Sequence, residues 1–266
     1  MSKNIAILST VVNFDLYRKS ALLFPDVPKY VIDGRNGMHS IDTIVYMFKK
    51  LRNHNIDWLI MADEDVLFID RDLVFGLIDK MVQEQITVCG VRDGGVIPHR
   101  TQNPYAINTF FSILNFKEVL SIWDANEVLK NQYVKDGEFK DDLSELPFDY
   151  NTESTFEPYY CFYFWLRRKG KKILFLDAEV PFKDDSIANL VKDSQGKELL
   201  YHTWYARAYG NSEKHTQRID RIFDQVSFDH AKWTEPVVFK DPTFALRKQI
   251  RKQSARVLNK IKSLMR

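Results

Sequence analysis

A largely apolar and β-branched run from Ile5 to Val12 restricts the fold more than any other feature of the sequence. Such a run is typical of a strand that is buried on both faces of a parallel sheet. Because strands and helices alternate after it, the sequence predicts an α/β fold with right-handed crossovers. Further strands are predicted at Tyr30–Asp33, Asp57–Ala62, Ile86–Val91, Thr109–Phe116 and Ile173–Leu176, and helices at 41–51, 73–82 and 158–169.

The same alternation indicates where a ligand would bind. In open α/β sheets, ligands bind in the crevice outside the carboxyl ends of the strands. The first candidates for a functional site are therefore the residues that follow Val12, Asp33, Ala62 and Val91.

Three later segments have a character of their own. Asp124–Asn151 is charged and irregular, which predicts a surface excursion over a substrate cleft. The helix after it is expected to have Pro158 at its first position and to end at Gly170. Asp184–Glu198 is polar, and we expect it to be mobile.

The cysteines and the missing motifs exclude several classes of protein. Cys89 and Cys161 lie far apart in apolar stretches, so they predict two buried thiols and a reducing cytosol rather than a zinc cluster or a disulfide framework. The sequence contains no G-x-G-x-x-G, no Walker loop and no G-x-S-x-G. Common dinucleotide enzymes, P-loop ATPases and α/β-hydrolases are thereby disfavoured.

The acidic cluster Asp63-Glu64-Asp65 directly follows the third predicted strand. In an extended loop, the carboxylates of Asp63 and Asp65 can point to the same side, because side chains alternate along the backbone. Two carboxylates at this edge of a sheet would suit Mg²⁺ or Mn²⁺. A solvated loop that merely ends the strand is the alternative interpretation.

The segment IDWLIMADEDVLF resembles the D-x-D segment of GT-A-fold glycosyltransferases, which use nucleotide sugars. The resemblance covers about residues 3–210 and implies a mixed, mainly parallel sheet flanked by helices. It places the nucleoside near the first two strands, at Thr10, Asp33 and Arg35. It also implies that Asp63 lies near the ribose and the metal, and that Asp65 is a direct ligand of Mn²⁺ or Mg²⁺.

Two later segments extend the resemblance. The stretch from Glu157 through WLRRKGKKILFL resembles the part in which inverting members carry a catalytic acid before a helix, which implies that Glu157 is the general base. The segment YHTWYAR resembles the place where many members supply a metal-binding histidine, here His202.

The chemistry of sugar transfer requires these residue types independently of the family. A departing diphosphate needs its charge neutralised, and an attacking hydroxyl needs a base. Glu157 lies among aromatic residues, where burial would raise its pKa. Its alternative role is a capping box with Ser154, and Glu153 and Asp149 are rival bases.

Basic and aromatic residues supply further candidates for binding. Arg35, Arg92 and Arg207 are candidates to hold diphosphate oxygens. Trp204, Tyr205 and Tyr209 are candidates to stack on sugar rings, whereas the aromatic run YYCFYFWL predicts core packing on a helix.

A second chemistry fits the same acidic motif. LIMADEDVLF also resembles the nucleophile signature of haloacid-dehalogenase-like phosphatases, in which Asp63 would be phosphorylated and Asp65 would be the acid/base. Lys183 and Asp184-Asp185 would then supply the later motifs. That signature normally follows the first core strand, whereas two strands precede it here.

Charge is distributed unevenly along the chain. Residues 243–266 contain eight of the 38 basic residues and none of the 36 acidic ones, which leaves 30 basic and 36 acidic residues, a net charge of −6, for residues 1–242. Leu246, Ile250, Val257, Ile261 and Leu264 recur at helical intervals. The sequence therefore predicts two parts, a catalytic domain at 1–240 and a basic amphipathic C-terminal helix at 241–266 that binds an anionic membrane surface.

Together these features predict a metal-dependent glycosyltransferase. We expect a UDP-sugar donor and a glycan or lipid-linked acceptor in surface polysaccharide biosynthesis, on the cytoplasmic inner face of a membrane. Nucleic acid is not an expected partner, because the −6 body would repel it. A non-enzymatic membrane-surface interaction protein is the remaining alternative.

Overall fold

The computed structural model describes residues 3–97, 100, 102–229 and 231–264, with side chains described as far as Ser254. The predicted α/β fold, a mixed and mainly parallel sheet flanked by helices, is confirmed, and it is the GT-A-like arrangement that the resemblance implied. The strands are β1 Ile5–Val11, β2 Lys29–Asp33, β3 Trp58–Ala62, β4 Val66–Phe68, β5 Ile86–Arg92, β6 Ile107–Asn115, β7 Lys172–Leu176, β8 Ala178–Glu179, β9 Asn189–Lys192, β10 Glu198–His202 and β11 Val237–Phe239.

The main sheet has the order β11-β2-β1-β3-β6-β5-β7. Among the described residues, β6 is the strand that runs antiparallel to the others, pairing with β3 on one side and β5 on the other. The carboxyl ends of β1, β2 and β3 therefore meet at one edge, where Val11 lies opposite Asp33.

A second sheet, β4-β10-β9-β8, packs beside the first. It contains a segment for which the sequence prediction was wrong: Asp184–Glu198 was expected to be mobile, but Asn189–Lys192 forms β9 and pairs antiparallel with β10. Leu190 and Val191 of β9 are buried, and this apolar contact orders the segment.

Helices cover both faces of the main sheet. They are α1 Phe14–Ser20, α2 Ile41–Leu51, α3 Leu73–Glu84, α4 Phe116–Ile122, α5 Ala125–Leu129, α6 Tyr160–Arg168, α7 Glu213–Phe223 and α8 Phe244–Leu264. Cluster one, an apolar cluster that includes Leu16, Val74 and Ile219, packs α1, α3, α7 and the second sheet on one face. Cluster two, which includes Ile44, Val119 and Phe162, packs α2, α4 and α6 on the other.

Tyr160–Leu166 of α6 are all buried, so the predicted core role of that aromatic run is confirmed, and so are the two buried thiols.

The charged excursion 124–151 lies beside the cleft rather than over it. It contains α5 and little other regular structure. Asp141 forms ion pairs with Arg92 and Arg167, which fasten the excursion to the edge of the sheet. No described residue of the excursion lines the substrate cleft, so that part of the expectation was wrong.

The basic segment forms the helix α8, which begins against the body of the molecule. Phe244 is buried in cluster two, and Lys248 and Arg251 contact Asp42 at the start of α2. Leu246 and Ile250 are 60% and 52% exposed. Met265 and Arg266 of the predicted tail lie outside the described residues. In the described part of the chain, no helix combines the length and the apolar character needed to cross a bilayer.

Candidate active site

A cleft of about 500 Å³ lies at the carboxyl ends of β1 and β3. The structure brings together six residues for which the sequence predicts a catalytic, nucleotide-binding or metal-binding role, and their roles stay predictions. The six are Thr10, Asp63, Asp65, Glu157, His202 and Arg207.

The three acids after β3 do not share one orientation. Glu64 turns toward the end of β1, where its carboxylate accepts hydrogen bonds from the backbone N–H groups of Val12 and Asn13 at 3.0 and 3.1 Å. Burial, together with the charge of Asp65, raises the pKa of Glu64 to about 7. Glu64 therefore joins β1 to β3, while Asp63 and Asp65 border the cleft.

Asp63 lies where the cost of a negative charge is high. Burial raises its pKa well above the ordinary value, and the neighbouring carboxylates of Glu64 and Asp65 raise it further. The positive charge of Arg207 lowers the pKa of Asp63, but by less than burial raises it. A carboxylate in this position favours the arrival of additional positive charge.

Strand pairing places His202 against the acidic motif. In the antiparallel pair β10–β4, His202 lies opposite Val66, and the N–H of Thr203 donates to the carbonyl oxygen of Asp65 at 3.0 Å. The Nε2 of His202 is consequently 3.5 Å from the Oδ2 of Asp65. The imidazole also stacks on Phe110, with 3.9 Å between the ring centroids.

The donor atoms at this point fit a divalent cation in chemistry. Carboxylate oxygen and imidazole nitrogen are ligands that Mn²⁺ accepts. The Nδ1 of His202 is buried and has no hydrogen-bond partner among the described residues, so this ring is not committed to a structural contact on that side. The described residues contain no preformed group of three or more His, Cys, Asp or Glu side chains around one point.

Glu157 reaches the cleft from a different part of the chain, just before α6. The helix α6 begins at Tyr160, so the prediction of Pro158 as its first residue was wrong, and Ser154 and Glu157 do not cap this helix, which was the alternative interpretation. Ser154 instead accepts a hydrogen bond from the N–H of Phe156 through its own Oγ. Glu157 is thus free of a capping role. Its rivals Glu153 and Asp149 do not line the cleft.

The environment of Glu157 sets its acidity. Burial raises its pKa, the guanidinium of Arg100 at 2.9 Å lowers it, and the charge of Asp93 raises it. The net direction is upward, as the sequence suggested. Asp93 is fully buried behind the cleft wall, where it accepts hydrogen bonds from the hydroxyl groups of Tyr159 and Tyr160.

Three predicted residues, Asp33, Arg35 and Arg92, do not line the cleft. Arg35 holds both carboxylate oxygens of Asp33, at 2.9 and 2.6 Å, and this contact lowers the pKa of Asp33. Arg92 is similarly occupied, since it lies over the ring of Phe175 and pairs with Asp141. Neither arginine lines the cleft, and a nucleotide would have to displace Arg35 to reach Asp33.

Arg100, Asn108 and Tyr159 also line the cleft, although the sequence pattern does not predict them there. Arg100 does follow β5, one of the strands whose carboxyl ends are expected to carry ligands. Two glycines with positive φ, Gly94 and Gly95, turn the chain there. Nothing in the local pattern shows that this turn returns Arg100 to Glu157, since the two residues are distant in sequence.

The residues needed for a phosphatase are not brought together. Lys183 and Asp184 do not line the cleft, and Asp184 pairs with Arg221 on the surface. Asp185 is buried and pairs with Arg218 of α7. Of the described residues proposed for a phosphatase, Asp65 therefore lies in the cleft with Asp63, whereas Lys183, Asp184 and Asp185 do not.

No protein-family model and no curated protein matches the sequence. Similar solved structures include a glycosyltransferase involved in the glycosylation of the major capsid of PBCV-1, at 13% identity and a TM-score of 0.45, over 83% of this chain and 98% of that one. Mouse xyloside xylosyltransferase 1 is similar at 8% identity and a TM-score of 0.39, over 66% and 86% of the two chains. A mannosyltransferase from Pyrobaculum calidifontis, in complex with GDP-Man and Mn²⁺, is similar at 8% identity and a TM-score of 0.33, over 46% and 47%. Sequence identities this low do not show that two proteins share a substrate.

Proposed function

We propose that this protein is a metal-dependent glycosyltransferase that moves a sugar from a nucleoside-diphosphate donor, a UDP-sugar, to an acceptor hydroxyl. One observation carries the proposal: Asp63, Asp65, His202 and the half-buried carboxyl of Glu157 line a single cleft. A metal-binding pair and a separate base are the two things that this reaction requires.

In this proposal Asp65 and His202 hold Mn²⁺ or Mg²⁺, and Asp63 borders the same point. When bound, the cation would neutralise charge on the departing diphosphate. Arg207 lines the cleft beside Asp63 and would bind diphosphate oxygens. Thr10, at the end of β1, borders the nucleoside.

Glu157 acts as the general base. Its carboxylate accepts the proton of the acceptor hydroxyl while the acceptor oxygen bonds to the anomeric carbon. The bond from that carbon to the diphosphate oxygen breaks, and the diphosphate leaves with the electron pair. A pKa raised by burial makes Glu157 a better proton acceptor than an exposed glutamate.

We extend the proposal to the setting of the reaction. The acceptor is a glycan or a lipid-linked glycan of surface polysaccharide biosynthesis, and α8 holds the enzyme on the inner, anionic face of a membrane. The support is the charge of residues 243–266 and the exposure of Leu246 and Ile250 on the same helix.

The test is thermal unfolding with a panel of nucleotides and nucleotide sugars, with and without Mn²⁺. We expect UDP or a UDP-sugar to stabilise the protein only when Mn²⁺ is present, by about 2.7 kcal/mol at 100 times Kd. Asp65→Ala should abolish the shift, because it removes a ligand. Asp136→Ala, at an exposed acid away from the cleft, should retain it.

If no nucleotide or nucleotide sugar raises the unfolding temperature in a Mn²⁺-dependent way, the proposal is refuted. Release of phosphate from p-nitrophenyl phosphate with Mg²⁺, lost in Asp63→Asn, would replace it with the phosphatase.

A further inference from the structure

The cleft wall beyond His202 is built from two residues in an unfavourable backbone conformation. Trp204 and Tyr205 have φ values of 60° and 64°, in the left-handed region that bulky residues seldom adopt. We call this pair the aromatic turn. Consecutive residues of this kind persist only where their surroundings impose the conformation, and such positions cluster at functional sites.

A buried cation imposes that conformation. Arg218 of α7 is 8% exposed and pairs with Asp185 at 3.0 Å. Its Nη2 donates to the carbonyl oxygens of Thr203 and Trp204, at 2.5 and 3.0 Å. These charge-assisted hydrogen bonds to two successive carbonyl groups hold the backbone of the aromatic turn against α7.

The aromatic turn presents a supported ring to the cleft. Tyr205 lines the cleft and is 49% exposed. Its ring stacks on His215 of α7, with 4.4 Å between the centroids and 15° between the planes. A ring that is backed on one side and half exposed is suited to cover the C–H face of a sugar, since both surfaces are apolar and flat.

The charges of Arg100 and Glu157, which lie beside the aromatic turn, balance each other. Arg100 lies over the ring of Trp204, 5.0 Å from its centroid, and pairs with Glu157 at 2.9 Å. Because the guanidinium already has a carboxylate partner, this end of the cleft offers hydrogen bonds rather than a free positive charge.

We infer that the aromatic turn, with Arg100 and Glu157, is the acceptor subsite, and that it takes a neutral pyranose ring stacked on Tyr205 with a hydroxyl directed to Glu157. The inference rests on the proposed function, because it uses Glu157 as the base. It adds the class of acceptor and the residues that select it. In this arrangement the donor occupies the part of the cleft beside Asp63, Asp65 and His202.

The test is saturation-transfer NMR on the full chain with UDP and Mg²⁺, which is diamagnetic and does not broaden the ligand signals. The probes are methyl glycosides of neutral hexoses and methyl glucuronide. We expect transfer to the C–H protons of at least one neutral glycoside, and a loss of its affinity by about tenfold in Tyr205→Ala. Tyr133→Ala, at a tyrosine that is 41% exposed and away from the cleft, should bind the glycoside unchanged.

Thermal shifts with UDP and Mn²⁺, measured on the wild type and on the same variants, separate the two proposals. If the wild type keeps that shift but binds no neutral glycoside, or binds one equally well after Tyr205→Ala, the subsite is refuted and the proposed function stands. Preference for the glucuronide would also overturn the neutral class. If the nucleotide shift is absent but glycoside binding depends on Tyr205, the transferase is refuted and the ring site stands.

Discussion

Arg100 and Glu157 show how one contact sets the acidity of a proposed base. Arg100 lowers the pKa of Glu157, against burial that raises it. Arg100→Gln removes the opposing charge, so the pKa should rise further and Glu157 should remain protonated to a higher pH. We expect the acidic limb of the kcat/KM profile to move to higher pH, because only the carboxylate accepts a proton.

Arg18→Gln is the matched control, at an exposed arginine of α1 outside the cleft, and it should leave the limb in place. A limb that stays fixed in Arg100→Gln, or moves to lower pH, would remove Glu157 from the role of base.

The aromatic turn yields a prediction about stability. At Tyr205, where φ is 64°, glycine adopts the left-handed region without strain and alanine does not. Tyr205→Gly should therefore be more stable than Tyr205→Ala by about 1 kcal/mol. Urea unfolding of both variants measures the difference.

The order should reverse at Tyr133, which is not among the residues with positive φ. There glycine should be the less stable substitution, because it loses more backbone freedom on folding. If alanine is the more stable substitution at both positions, the left-handed conformation of Tyr205 is not a property of the protein in solution.

Single residues also mark the limit of prediction from sequence. Asp63 and Asp65 could be proposed because a motif and a strand end coincide there, and His202 because its segment resembles the place where many glycosyltransferases supply a metal-binding histidine. Asp33 met the same criterion, yet Arg35 holds its carboxylate away from the cleft. Which way a side chain turns at a strand end depends on its neighbours in space, and a pattern of residue types does not contain that information.

Among the elements, β5 depends on a glycine. A Cβ on Gly90 would lie 2.6 Å from the Cγ2 of Ile107 and 2.7 Å from the carbonyl oxygen of Phe111, both on β6. Gly90→Ala must force β5 away from β6 in the middle of the sheet. We expect the free energy of unfolding to fall by about 2 kcal/mol.

Gly76→Ala in α3 is the matched control. A Cβ there meets no atom within 4 Å, and the position is exposed. Since alanine is the better helix former, this variant should gain about 1 kcal/mol. In chemical denaturation, the free energy of unfolding should therefore fall in Gly90→Ala and rise in Gly76→Ala. An unchanged free energy of unfolding in Gly90→Ala would contradict the close approach of the two strands.

The elements that sequence predicts well are those with a long pattern of their own. The eight-residue run at Ile5–Val12 and the helical spacing at 41–51 are present at nearly the predicted bounds. β9 has only four residues, and it is ordered by pairing with β8 and β10. Short strands of this kind are stabilised by partners elsewhere in the chain, which is why a polar segment was mistaken for a mobile one.

At the scale of the whole molecule, two sheets meet at the proposed site. Asp65 belongs to the junction between β3 and β4, and His202 ends β10, so the two proposed metal ligands join the main sheet to the second sheet. The sequence predicted both residues but not the second sheet that brings them to 3.5 Å. Their proximity is a result of long-range pairing that no local pattern encodes.

The net charge of +2 likewise conceals two parts, since an acidic body of −6 carries eight basic residues at 243–266. The helix α8 is fastened at its start by Phe244 and by the ion pairs to Asp42, while Leu246 and Ile250 are exposed. We therefore expect the protein to bind vesicles that contain phosphatidylserine and not vesicles of phosphatidylcholine alone. Each basic residue near the surface contributes about 1 kcal/mol.

Binding should weaken steeply between 0.1 and about 1 M salt, as the Debye length falls from about 10 to about 3 Å. The double variant Leu246→Glu, Ile250→Glu should weaken sedimentation with anionic vesicles, because it adds negative charge where the helix would enter the interface. Val82→Glu, Val180→Glu adds the same charge at two exposed valines, 47% and 44% exposed, elsewhere on the body, and should bind nearly as well as the wild type. If both double variants lose binding equally, or if duplex DNA competes for the helix at the same salt, the attraction is a property of net charge alone and α8 is not a membrane-docking element.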